Sequence, residues 1–232
     1  MATSLVSILL PLHNQGGQIE GIVSDYEEAL SQLPLPHELV LIVNGSSDDS
    51  ARAAKAARER WPNVEVYELQ EAGWGRAVRF GLQRARGDLL CYTNSARTTA
   101  EDLLRLVRHA VASPGVVIKA NRKIRDNWRR RLGSLLFALE CRALFDLANW
   151  DINGTPKIFP RSFRQLLELT RDDDLIDVEF IALCRRYNYP IVEVPIFSTH
   201  RRGGRSTTNY ISGLRMYFGA IRFWWALPRD RS

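Results

Sequence analysis

Cysteine, methionine and histidine are scarce in this chain, at 3, 2 and 4 of 232 residues. Cys91, Cys141 and Cys184 stand far apart, are odd in number and lack metal-ligand spacing. That excludes a disulfide framework and leaves them as reduced, buried, small hydrophobes. No apolar run reaches the ~18 residues of a membrane-spanning helix, so none is expected. The first apolar residues start at Leu5 and run straight into Pro11, a strand-like pattern and no secretory signal. A cytoplasmic, reducing location follows. There is no internal repeat, low-complexity tract or obvious linker. The length suits one large domain, or one domain with an appendage, and a hydrophobic content of 45% is enough for a sizeable core.

Lys and Arg exceed Asp and Glu by 32 to 26, a net charge of +6. The excess is late in the chain. Residues 119–131, KANRKIRDNWRRR, carry seven basic side chains against one acid, and HRRGGR at 200–205 adds three arginines. Such clusters suit anionic partners (nucleotide phosphates, phospholipid headgroups, nucleic acid) or form a solvated basic face.

The first half alternates between two periodicities. Strands are expected at 4–12, 37–44, 63–69, 88–94 and 115–122, and helices at 18–33, 48–60, 74–86 and 101–113. Strands separated by helices of this length imply βαβ units and a mostly parallel sheet. Their unbroken apolar runs indicate burial on both faces. The second half is less regular. It reads as a helix over 129–149 with apolar residues at Leu132, Leu135, Leu136, Leu139, Leu144 and Leu147, then a short strand at 157–160. A helix from Ser162, another over 176–187, a strand at 191–197 and a terminal helix over 211–227 complete it.

In parallel α/β sheets, ligands bind beyond the carboxyl ends of strands. Four polar turns fall there: HNQGGQ (13–18), NGSSDDS (44–50), NSARTTAED (94–102) and KANRK (119–123). The second offers Gly45 for a tight turn and Asp48 at a helix start, which also reads as an ordinary helix cap. Further motifs are GWGRAVRFGLQRARGDLLCYTNSA, DINGTPKIF and VEFIALCRRYNYPIVEVPIFSTHRRGGRS. In this order and spacing the set resembles family 2 glycosyltransferases, most closely the polyprenyl-phosphate (dolichol-phosphate) sugar synthase branch, over roughly residues 4–210.

The resemblance implies a GT-A type α/β fold in residues 1–210, with 211–232 as an appended aromatic helix. It implies transfer of a sugar from a nucleotide-diphospho-sugar to an acceptor, plausibly a polyprenyl phosphate. By position, Pro11, His13 and Gln15 would line the base pocket, and Asn44 would lie near the base edge or ribose. Gly75 and Arg76 would sit by the pyrophosphate, with Asn94 and Ser95 at the end of the fourth strand. Lys157, Arg202, Arg205 and Ser206 would meet the phosphates of donor or acceptor. Asp151 would be the carboxylate near the acceptor, where a base is needed unless the acceptor is already ionised. Nucleic acid is not expected, because the arginines fall where the resemblance implies phosphates.

The chain departs from the family's pattern by losing carboxylates. Gln15 stands where family members usually carry Glu, Asn44 at or next to a usual Asp, and Asn94 and Ala96 where an Asp-x-Asp pair would hold a divalent metal. Mg²⁺ and Mn²⁺ prefer hard oxygen ligands, usually including carboxylates. A bound metal is therefore disfavoured, with Arg76, Arg97, Arg202 and Arg205 as candidates to neutralise a pyrophosphate. The losses also leave open a degenerate, non-catalytic member that binds nucleotide or lipid or serves as a regulatory or partner subunit.

Asp177 and Glu179, two residues apart, cannot share one helix face and read as a pair at a helix start. The terminal segment interleaves Met216, Tyr217, Phe218, Phe223, Trp224 and Trp225 with Arg215 and Arg222. That composition suits a helix lying at a membrane interface, peripheral at the inner face, and suits equally one packed on the domain, on a second copy or on a membrane partner protein.

Overall fold

The computed structural model describes residues 5–123, 128–197 and 210–226. Seven strands form one sheet: β1 (Val6–Leu12), β2 (His37–Asn44), β3 (Val64–Leu69), β4 (Leu89–Tyr92), β5 (Val117–Arg122), β6 (Lys157–Pro160) and β7 (Ile191–Ile196). Their order is β3-β2-β1-β4-β6-β5-β7. All pairings are parallel except those of β6, which runs antiparallel to both β4 and β5.

The helices are α1 (Ile19–Leu30), α2 (Ser50–Arg60), α3 (Trp74–Arg84), α4 (Ala100–Ala112), α5 (Trp128–Phe145), α6 (Ile176–Arg186) and α7 (Tyr210–Ala226). Apolar residues of α1, α2 and α4 join one buried cluster with Ile8, Leu10, Leu39 and Leu41. Those of α3, α5, α6 and α7 join a second with Leu9, Val40 and Ile42. Successive strand residues thus enter opposite cores, as side-chain alternation along a strand requires. This is the physical source of the unbroken apolar runs in β1 and β2.

Two expectations are corrected. The helix from Ser162 is a single 3-10 turn, Arg164–Leu167. Just beyond it the Glu179 carboxylate accepts the backbone N–H groups of Thr170 and Arg171 at 2.9–3.0 Å, and the chain turns away. The helix expected to reach Asn149 ends at Phe145, because Asp146 takes a left-handed φ of 51°. Asp177 and Glu179 do face different ways, as their spacing requires: Asp177 meets Tyr92 and Lys157, Glu179 the Thr170 loop.

Charged residues also enter the frame. Glu38 of β2 is 2% exposed and accepts Ser7 Oγ, Arg86 N and Arg86 Nε at 2.6–2.7 Å. Burial alone would raise its pKa, but these hydrogen bonds and the guanidinium hold it below the ordinary carboxylate value. The same Ser7 hydroxyl accepts Gly87 N, so this cluster seats the turn that launches β4.

Candidate active site

The sheet order reverses at β1 and β4. The chain proceeds from β1 outward to β2 and β3, then returns to the other side of β1 as β4. The crevice beyond the carboxyl ends of these two strands is the topological switch point where open α/β sheets bind ligands. The turns after β1, β2 and β4 converge there and are laced together by side chains.

His13 Nδ1 lies 2.9 Å from the carbonyl oxygen of Asn44. Asn44, 4% exposed, donates from Nδ2 to Leu12 O at 2.8 Å and accepts Gly73 N on Oδ1 at 3.0 Å. An amide is needed here, since a carboxylate cannot donate to Leu12 O. Both ends of Asn44 thus make contacts inside the protein, joining the turns after β1 and β2 to the start of α3. Asp48 accepts Gly16 N at 2.9 Å and Ser50 N at 3.1 Å, tying the first turn to the start of α2. Burial works against its ionisation, yet the bonds from Ser50 and Gly16 keep its pKa below the ordinary value. Pro11 is buried within β1, opposite Ile42.

Gln15 is 4% exposed and Ser95 1% exposed. Ser95 Oγ donates to Gln15 Oε1 over a long 3.5 Å, bridging the ends of β1 and β4. Gln15 Nε2 is buried with no hydrogen-bond partner among the described residues. Asn94 closes its own turn: Oδ1 accepts Ala96 N at 3.2 Å, and its carbonyl accepts Arg97 N at 2.9 Å and Thr98 N at 3.0 Å.

The 171–173 loop packs on the start of α3 at Gly75. A Cβ on Gly75 would lie 2.4 Å from Arg171 O and 2.6 Å from Asp173 O, so only glycine admits the 171–173 loop. Arg76 pairs with Glu71 and lies 3.7 Å from Asp172. Gly75 and Arg76 thus both contact this loop.

The far side of the site is built on buried ion pairs. Asp151, 4% exposed, accepts Arg122 Nε at 2.8 Å and Nη2 at 2.7 Å, and Arg122 N at 2.9 Å. Both carboxylate oxygens are engaged, so Asp151 ties its loop to the end of β5. Lys157 is wholly buried and pairs with Asp177, which also accepts Tyr92 Oη at 2.9 Å. Burial pushes the Lys157 pKa down to about 8, with Asp177 opposing that fall. Lys157 is therefore an internal cation, paired with Asp177. Lys119, also 0% exposed, pairs with Glu193 at 2.8 Å. So two residues of the basic 119–131 run, Lys119 and Arg122, are internal rather than surface charge. Sequence reasoning missed the roles of Tyr92, Lys119, Arg122 and Glu193. The one available signal was a lysine inside the apolar run VVIKA.

Gly154 is the tightest point of this loop. A Cβ there would stand 2.2 Å from Ala120 O and 2.9 Å from Asp151 Oδ2. Gly154→Ala is expected to cost about 1–3 kcal/mol, as overpacking does. A urea titration against the parent chain reads the loss, and an unchanged midpoint would contradict the clash. Arg202, Arg205 and Ser206 lie outside the described residues.

Residues 7–189 match the sequence profile of Glycosyl transferase family 2. The chain belongs to glycosyl transferase family 2. Its relatives include proteins named undecaprenyl-phosphate 4-deoxy-4-formamido-L-arabinose transferase. The one from Serratia proteamaculans is 30% identical over 134 residues, 56% of this chain and 40% of that protein. The one from Sodalis glossinidius is 25% identical over 229 residues, 95% of this chain and 68% of that protein. The one from Pseudomonas fluorescens is 30% identical over 192 residues, 81% of this chain and 57% of that protein. The Serratia protein and three Pseudomonas aeruginosa proteins of the same name are matched over only 40–50% of their length, so this chain spans about half of them. Among solved structures, glucosyl-3-phosphoglycerate synthase from Mycobacterium tuberculosis, in complex with Mn²⁺, UDP and glucosyl-3-phosphoglycerate, superposes with a TM-score of 0.73. It is 17% identical, and the match covers 98% of this chain and 82% of that one. That likeness establishes the GT-A type fold of this family 2 chain.

Proposed function

We propose that the chain binds a nucleotide-diphospho-sugar beyond the ends of β1, β2 and β4 and transfers the sugar to a polyprenyl phosphate. The observation that carries this reading is the family 2 match over 7–189, in a chain whose relatives are named as undecaprenyl-phosphate sugar transferases. The switch-point crevice supports the donor half of it. On the acceptor half, a phosphate is already ionised at neutral pH and attacks without a side-chain base. Asp151, with both oxygens on Arg122, then acts by positioning the loop that borders the acceptor.

A lipid acceptor brings the chain to a membrane surface, peripherally and on the cytoplasmic face. Among the described residues no helix is long and apolar enough to cross a bilayer. Two adjoining helices instead turn apolar stripes outward. On α5 these are Leu132, Leu135, Leu136 and Leu139, 40–50% exposed; on α7 they are Phe218, Ile221 and Trp225, 38–68% exposed. Arg129, Arg130 and Arg131 open α5, and Arg222 lies within α7, so the sequence supplies cations for anionic headgroups.

Incubation with a panel of nucleotide-diphospho-sugars and a polyprenyl phosphate tests the reading, with lipid-linked sugar as the product expected. One observation favours a second reading, a non-catalytic nucleotide-binding member: the turn 94–96 carries no carboxylate. Nucleotide binding without transfer to any acceptor would select it. The donor phosphates also engage Arg202 and Arg205 in this proposal. Replacing either with Ala is expected to weaken nucleotide binding by ~1–3 kcal/mol, the scale of a lost charge-assisted hydrogen bond. Calorimetry that finds both variants unchanged would remove the arginines from the site.

A further inference from the structure

The solved structural relative holds Mn²⁺ together with UDP, and such ions take hard oxygen ligands, typically one or two carboxylates with substrate phosphates. The residues at the end of β4, where the family resemblance puts an Asp-x-Asp pair, do not fit such an ion. Ala96 has no ligand atom in its side chain. Asn94 Oδ1 accepts Ala96 N, and Ser95 Oγ is turned to Gln15. The nearby acids are engaged elsewhere: Asp48 by Gly16 and Ser50, Asp151 by Arg122, Asp177 by Lys157 and Tyr92. Among the described residues no three His, Cys, Asp or Glu side chains group as a metal site.

We propose that this chain holds its nucleotide diphosphate without a divalent cation, and that a neutral Gln15–Ser95 contact joins the two strand-end turns that carboxylates would otherwise occupy at 15, 94 and 96. The inference rests on the donor reading above. β1 and β4 are neighbouring parallel strands, so the turns that follow them meet. Two carboxylates brought together there repel one another unless a cation or a proton lies between them. An amide and a hydroxyl close the same gap with no ion. The chemistry of the gap is thereby reversed. Gln15 Nε2 is a hydrogen-bond donor, buried and without a partner among the described residues, and an unpaired buried donor is costly. A phosphate or ribose oxygen satisfies it, whereas a metal ion gains nothing from an N–H. The contact that ligand entry has to open is the long one, 3.5 Å between Ser95 and Gln15. The positive charge opposite the diphosphate then comes from the chain itself. Arg97, whose N–H is bonded to the Asn94 carbonyl, is the guanidinium rooted at this turn.

Calorimetry of UDP and GDP on the full chain, once in EDTA and once in excess Mn²⁺, tests this, with Mn²⁺ binding alone followed by electron paramagnetic resonance. For the parent chain one nucleotide binds with affinities that agree within about twofold in the two buffers, and Mn²⁺ alone is not retained. Gln15→Leu and Arg97→Ala, checked for folding by thermal melting, each weaken binding in EDTA by about tenfold, the effect of one charge-assisted hydrogen bond. The triple variant Gln15→Glu, Asn94→Asp, Ala96→Asp loses binding in EDTA and retains Mn²⁺. Parent binding that requires Mn²⁺, or Gln15→Leu binding as tightly as the parent, overturns the inference and leaves the donor reading standing. No binding of either nucleotide in either buffer overturns the donor reading itself, and this inference with it.

Discussion

Asp177→Ala should lower folding stability by about 3–5 kcal/mol, the loss seen when one partner of a buried ion pair is removed and the other charge is left without compensation. Lys157 is 0% exposed, so its ammonium has no water to turn to. What surrounds it is aromatic, with the Tyr92 ring at 5.4 Å and the Phe180 ring at 5.8 Å. Those faces attract a cation but do not replace a carboxylate. The double variant Lys157→Met, Asp177→Leu should recover most of the loss, since apolar groups of similar volume often replace a buried pair at little cost. The deficit of Asp177→Ala also has a pH signature. Lys157 has a folded pKa of about 8, below the ~10.4 of a free lysine. Between those values the unfolded chain binds more protons, so this group's contribution to stability grows as pH rises. Without Asp177 the lysine loses its proton more readily still. The gap between variant and parent should therefore narrow as pH rises through neutral to about 8, the folded value of Lys157 in the parent, and level off above it. Urea titrations at several pH values read both effects. A deficit under about 1 kcal/mol at pH 7, or one that widens with pH, would contradict the pairing. The pair matters to the site as well as to the fold: Tyr92, the third member, is the last residue of β4, directly before the turn that carries Asn94 and Ser95.

The legible and illegible parts of this chain divide by the range of the information. β1 to β5 and the helices between them were legible because each strand is a local apolar run and each helix a local periodicity. β6 was legible as a strand but not in direction, since the four residues KIFP carry no sign of whether they run with or against β4. The internal charges were invisible for a different reason. Lys119 and Glu193 are 74 residues apart, and Arg122 and Asp151 are 29 apart. A basic side chain at the end of an apolar run reads as a strand terminus facing water, and only the pairing of β5 with β7 and β6 shows otherwise. Asn44 misled differently. Set beside a usual Asp it reads as a lost ligand, whereas its amide supplies a donor to Leu12 and an acceptor to Gly73 that join two turns. The leucines of 129–149 declared a helix but not its surroundings: Leu147, just past the end of α5, is 4% exposed, while Leu132, Leu136 and Leu139 within it are each 50% exposed. Periodicity specifies a face, and tertiary packing decides what that face meets.

The outward faces of α5 and α7 lead to the second large effect, the loss of vesicle binding on charge insertion. A fully buried leucine is worth ~1.5–3 kcal/mol, so each half-exposed one retains about 1 kcal/mol to be gained on contact with lipid. Four such leucines, with Phe218 at 65% and Trp225 at 68% exposure, form an apolar surface large enough for useful attachment. Nearby arginines add ~1 kcal/mol each at an anionic surface, in a salt-dependent way. Removing α7 outright is a poor test, because Ala220 and Phe223 are 0% and 9% exposed, and Tyr217 Oη donates to Gly133 O at 2.6 Å. Truncation would strip the core along with the surface. Leu136→Glu with Trp225→Glu changes only outward positions. In the full chain that pair should lower partition onto anionic vesicles about 100-fold, roughly 3 kcal/mol of lost apolar contact, while the thermal melt stays close to the parent's. Co-sedimentation across a salt series reads the effect, and the parent's binding should weaken as salt rises. A second copy of the chain is the competing occupant of this face. Were it the true one, the parent would run as a dimer in gel filtration, the double variant as a monomer, and neither would sediment with vesicles. That result would remove the membrane surface from the proposal and leave the polyprenyl acceptor resting on the named relatives alone.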